Sequence, residues 1–130
     1  MQILQPPGWP RPRGYANGVA AQGRLVFVAG QIGWDASGAI VSDDLVDQLR
    51  QTLENTLAVL REAGAGPQHV TRMTWYVTDK REYLARAREL GEAYRTLMGR
   101  HHPAMAVVEV SALIEDRAKV EIETTAVIST

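Results

Sequence analysis

The chain has no cysteine. That absence excludes disulfide cross-links, thiolate nucleophiles and cysteine-bound zinc. No apolar run approaches the ~20 residues that a membrane-spanning helix needs. The opening residues, Met1-Gln2-Ile3-Leu4-Gln5-Pro6-Pro7, do not read as a signal peptide. Neither charge sign is in excess: 14 Lys and Arg stand against 15 Asp and Glu, for a net charge of -1. Without a basic run there is no electrostatic footprint for nucleic acid or for an anionic membrane. Nucleophile-elbow, phosphate-loop, nicotinamide-fingerprint and metal-ligand patterns are all missing. A cytoplasmic location is the expectation.

What is present fits one ordinary α+β domain. A chain of 130 residues, 45% of them hydrophobic, buries enough surface to fold without a staple. Pro6, Pro7, Pro10 and Pro12 forbid helix near the start, so residues 1–14 are predicted to form an extended arm. Residues 15–22 and 24–29 read as two short strands around Gly23, paired like a hairpin. Leu25-Val26-Phe27-Val28-Ala29 is apolar at every position, the pattern of a strand buried on both faces. Gly30-Gln31-Ile32-Gly33-Trp34 then interrupts the run.

Leu45, Leu49, Leu53, Leu57 and Leu60 recur at spacings of four and three, which predicts one amphipathic helix. Ser42 or Asp43 would cap it and Gly64 would stop it. Alternation of Met73, Trp75 and Val77 with polar residues predicts a strand over 69–77. Asp79 and Glu82 have capping-box spacing for a second helix, which would bury Tyr83, Ala87, Leu90, Tyr94 and Leu97 and end near Gly99. Residues 104–111 and 119–128 complete the order β-β-α-β-α-β-β. Two helices can cover only one face of such a sheet. In residues 104–110 both alternating sets are mostly apolar, so the uncovered face needs a partner, and a homo-oligomer packed through its sheets follows.

Candidate chemistry is sparse. Tyr15 follows the proline arm and offers a hydroxyl. The strand end at Gly30 and Gln31 can free backbone amides and allow a ligand to approach closely. Adjacent His101 and His102 point apart with no carboxylate at a helical offset, which argues against zinc and leaves one histidine at a pocket rim. Glu121 and Glu123 share a strand face. For Glu123 an ion pair across a subunit boundary is the favoured role; for Glu121 a general base stays open.

Tyr15, Leu25-Val26-Phe27-Val28-Ala29-Gly30-Gln31-Ile32, Leu53-Glu54-Asn55, Leu60-Arg61-Glu62-Ala63-Gly64, Pro103-Ala104, Val108-Glu109-Val110 and 120–127 together resemble the Rid (YjgF-type) imine/enamine deaminase family. The resemblance spans nearly the whole chain. It implies a chorismate-mutase-like fold, a homotrimer whose sheets form a central barrel, pockets between subunits, and no cofactor or metal. It also implies hydrolysis of reactive 2-imino or enamine acids to 2-oxo acids and ammonia. By position, Tyr15 and Glu121 are the implied catalytic residues; Gly30, Gln31, Trp34, Met105 and Val107 are the implied substrate contacts. The family's carboxylate-clamping arginine falls at Met105, its cysteine at Val107, and its second-helix asparagine at or near Ala87. Methionine cannot hold a carboxylate. The resemblance therefore implies a divergent hydrolase whose substrate differs from the usual small imino acids. The alternatives are a non-catalytic small-molecule-binding trimer and, with less support, a ribonuclease.

Overall fold

Glycines let the proline-rich start reverse direction. Gly8 and Gly14 adopt φ of 84° and 81°, left-handed values that a side chain disfavours. The computed structural model, which describes residues 1–129, accordingly returns Gln2–Leu4 (β1) to pair antiparallel with Gly18–Ala20 (β2). This corrects two expectations. The arm is not simply extended, and β2 takes β1, not the strand after Gly23, as its partner.

That next strand, β3 (Arg24–Gln31), runs antiparallel to the last, β6 (Val120–Ile128). β6 is also antiparallel to β4 (Val70–Val77), which lies parallel to β5 (Ala104–Glu109), so the sheet order is β3-β6-β4-β5. Parallel neighbours cannot be joined by a hairpin. The β4–β5 crossover is made by two helices, α2 (Lys80–Ala85) and α3 (Ala87–Met98), with Arg86 at the break; the sequence pattern predicted a single helix.

The long helix α1 (Leu45–Glu62) starts one residue later than a cap at Asp43 predicts and two later than a cap at Ser42. Asp44 is its cap, accepting from the Asp47 amide at 3.0 Å, while Ser42 accepts from the Asp44 amide. Arg86 also pairs with Asp44 at 3.0 Å, and the Asp47 amide together with that cation holds the carboxyl below its usual range. Asp79 caps α2 through the Arg81 and Glu82 amides, but Glu82 does not reach back. Its carboxylate pairs with Lys119 instead.

α1 and α3 lie on one sheet face. Leu49, Leu53 and Leu60 are fully buried there among Met73, Trp75, Val120, Ile122, Leu90 and Tyr94. Gln48 is equally buried but fully bonded: it donates to the Ser42 and Arg117 carbonyls and accepts from the Lys119 amide. The other face is open in the single chain. Phe27 is 72% exposed and Leu25 56%, so β3 is covered on one side only. Met105 and Val107 turn toward the helix layer; Ala106 and Val108 face outward. No helix among the described residues is long and apolar enough to cross a membrane.

Candidate functional site

β5 is an edge strand, and the N-terminal arm completes it. The Ala16 amide donates to the Pro103 carbonyl at 2.9 Å and Ala16 bridges Ala104, which seats Tyr15 beside the start of β5. Between this edge and α3 lies a cleft of ≈ 390 Å³. Trp75, Leu90, Met105 and Val107 make an apolar floor; Tyr15, Tyr83 and Tyr94 add aromatic walls; Arg13, Arg95 and His102 stand around it. Burial pushes the Tyr94 phenol up to about 12, and its hydroxyl donates to the His101 carbonyl. The Tyr94 ring stacks on His102, with centroids 6.1 Å apart. His101 is tied away from the cleft, its Nε2–H donating to the Val70 carbonyl at 2.6 Å. His102 is the rim histidine.

The helix wall of the cleft was not foreseen as a wall. Ala87, expected in the core, is exposed and lines the cleft, as do Gly91 and Arg95. These three recur at a spacing of four on one face of α3. The two small residues interrupting the apolar stripe were the readable signal.

β3, at the opposite edge, and its inner neighbour β6 carry a second constellation. The register slips between Val28 and Gln31, a bulge that frees the chain at Gly30. Asn55 on α1 fixes the following loop by donating to the Ile32 and Trp34 carbonyls at 3.1 and 2.9 Å. Gly33 packs directly on α1, where an added Cβ would lie 2.8 Å from Gln48 Cα. A Cβ on Gly30 would fall on the Glu121 carboxylate. Among the described residues no hydrogen bond engages that carboxylate. Glu123, by contrast, accepts from the Tyr76 hydroxyl at 2.7 Å, which raises the Tyr76 pKa; its partner is in its own chain. Glu109 accepts from the Lys80 amide at the start of α2.

Of the residues singled out in the sequence, the cleft gathers Tyr15, Met105 and Val107. Gly30, Gln31 and Glu121 sit together elsewhere, and Trp34 is 39% exposed in the loop beyond them. These two groups do not meet within one chain. β3 and β5 are the two edges of the sheet with β6 and β4 between them. At about 4.8 Å per strand, Gly30 and Gln31 on β3 stand roughly 14 Å from β5 and Glu121 on β6 roughly 10 Å.

Charge is also less even than composition suggests. Arg11 and Arg100 line a neighbouring hollow that shares Tyr15 and His102 with the cleft. Arg11, Arg13, Arg95 and Arg100 therefore surround one end of a chain whose net charge is -1. None of the four forms an ion pair among the described residues.

Comparison with known proteins places this geometry in context. The family model described as endoribonuclease L-PSP matches residues 10–128. A RutC family protein of Pyrococcus horikoshii is 37% identical over 115 residues, covering 88% of this chain and 87% of that one. The 2-iminobutanoate/2-iminopropanoate deaminase of Salmonella typhimurium is 35% identical, covering 87% and 86%. Among solved structures, a Rid family protein of unknown function from Yersinia pestis superposes with a TM-score of 0.86 at 32% identity, covering 98% of both chains. Escherichia coli TdcF with bound serine gives 0.70 at 32% identity, covering 99% and 100%.

Proposed function

Because the chain belongs to the endoribonuclease L-PSP (Rid) family, we propose that it is a hydrolase that deaminates a reactive imine or enamine at sites assembled between copies of the chain in a trimer. One observation carries this reading: the two constellations are complementary and lie apart in the chain, one at the β5 edge beside α3 and the other on β3 and its inner neighbour β6. The β5 edge offers a cleft with Tyr15 and an apolar floor; β6 offers a carboxylate without a partner beside Gly30 of β3. The open sheet face with Phe27 and Leu25 supplies the surface through which copies would pack.

In the assembled site Glu121 of one copy faces the cleft of the next. It accepts a proton from a water as the water oxygen bonds to the imine carbon, and the C=N π electrons move to nitrogen. That proton returns to nitrogen to give the neutral carbinolamine, whose hydroxyl proton then passes through Glu121 to nitrogen as the carbonyl forms and ammonia is expelled. One water is consumed and one ammonia leaves for each 2-oxo product. Gly30 keeps the Glu121 carboxylate uncovered, and Tyr15 orients the ligand.

Position 105, where the resemblance places the carboxylate-clamping arginine, holds Met105 in the cleft floor. A floor of Trp75, Leu90, Met105 and Val107 suits an apolar group better than the carboxylate of a three- or four-carbon imine. The test is ammonia release from imines generated in situ from a panel of amino acids. Accelerated release from imines with large side chains is expected; no acceleration with any of them would overturn the proposal.

A further inference from the structure

An apolar floor leaves open where the ligand's charge is held. Two arginines stand at the cleft, Arg13 on the N-terminal arm and Arg95 on α3, and neither has an acidic partner among the described residues. Arg95 lies four residues, about one helical turn, beyond Gly91, and both line the cleft. A Cβ added to Gly91 would come within 3.2 Å of Arg95 Nη1. The guanidinium thus folds back along α3 over the one position of that turn without a side chain. Glycine inside a helix is disfavoured against alanine. Here it leaves the space that the guanidinium occupies. Arg11 and Arg100, also unpaired, extend the positive potential to the adjoining hollow.

We infer that Arg95, seated over Gly91, forms with Arg13 an anion site at the cleft rim, so that this protein takes a carboxylate ligand whose bulky branched or aromatic side chain rests on Trp75, Leu90, Met105 and Val107. Charge at the rim and apolar surface at the floor reverse the order that an arginine at position 105 would impose. A short acid held by the arginines leaves the apolar floor unfilled, because the ≈ 390 Å³ cleft has room for a larger ligand. A guanidinium offers planar, paired donors for the carboxylate, which lysine cannot reproduce. The inference rests on the proposed hydrolase only in using the same cleft.

The experiment titrates the intact protein by calorimetry with pyruvate, 4-methyl-2-oxopentanoate and phenylpyruvate, stable 2-oxo acids in place of imines. Phenylpyruvate should bind about tenfold or more tightly than pyruvate, since several additional carbons are buried. Arg95→Ala should weaken phenylpyruvate about tenfold, the loss expected for a charge-assisted hydrogen bond. Arg13→Ala should weaken it in the same direction, Arg95→Lys should restore little, and Gly91→Ala should lower affinity by displacing the guanidinium. Phenylacetone, which lacks the carboxylate, should bind the native protein and Arg95→Ala alike. Unchanged phenylpyruvate affinity in both arginine variants, or pyruvate binding as tight as phenylpyruvate, would overturn the inference. Ammonia release assayed on the same preparations separates the two readings. Arginine-dependent binding without turnover leaves this site standing and removes the hydrolase. Turnover that ignores both arginines does the reverse.

Discussion

Replacing each of two glycines in one short segment by alanine should produce opposite phenotypes. Gly33 abuts backbone: its new Cβ would lie 2.8 Å from Gln48 Cα and 2.9 Å from Gln48 Cβ. Neither atom can swing aside without moving α1. Overpacking of this kind costs about 1–3 kcal/mol. Gln48 also makes three buried bonds, of 2.8, 3.0 and 2.8 Å, that hold the Ser42 and Arg117 carbonyls and the Lys119 amide. Straining even one of them adds roughly 1 kcal/mol. Gly33→Ala should therefore lose about 3 kcal/mol, read from guanidinium unfolding at fixed protein concentration. Gly30→Ala meets only the end of the Glu121 side chain, which can rotate away, so its stability should change by less than about 1 kcal/mol. Its ammonia release should nevertheless fall about a hundredfold, the usual consequence of moving a catalytic group by an ångström. Gly33→Ala as stable as the native protein would refute the packing argument. Gly30→Ala with full activity would refute the placement of Glu121.

Three further outcomes follow from the same geometry. Phe27→Glu puts a charge on the open sheet face, where Phe27 is 72% exposed, and should convert the oligomer to monomer in light scattering without unfolding the chain. Asp44→Ala removes the α1 cap and the Arg86 pair and should cost about 1 kcal/mol near neutrality. The Asp44 pKa is lowered on folding, so its contribution is complete above the unfolded value near 3.9 and is lost as pH falls through the folded one; the native and variant proteins should converge in stability at acid pH. Met105→Arg should gain pyruvate binding by calorimetry, at a packing cost of about 1–3 kcal/mol.

The parts of the fold readable in the sequence were those set by local period. The leucine stripe of α1, the alternation in β4 and the left-handed stop at Gly64, where φ is 74°, depend on neighbours within a few residues. The proline arm misled because its partner is chosen by tertiary pairing: β1 folds back on β2 across the loop from Gln5 to Asn17. The helix break at Arg86 carries no proline or glycine to announce it. For the site, Gly30 and Gln31 end a strand and Met105, Val107 and Glu121 lie within strands as expected, yet sheet order decides which of them can meet. Arg11 and Arg13 lie some eighty residues from Arg95 and Arg100, so their convergence left no mark on local charge patterning.

The central claim is that one copy's Tyr15 cleft works with another copy's Glu121. Two variants, Tyr15→Ala and Glu121→Gln, should each abolish most ammonia release from an imine that the native protein hydrolyses. Unfolded together in equal amounts and refolded, they should regain activity, because roughly a quarter of the interfaces in randomly mixed trimers pair an intact cleft with an intact carboxylate. Recovery to about that fraction of native activity is the predicted result; mixed protein no more active than either variant alone would contradict the account.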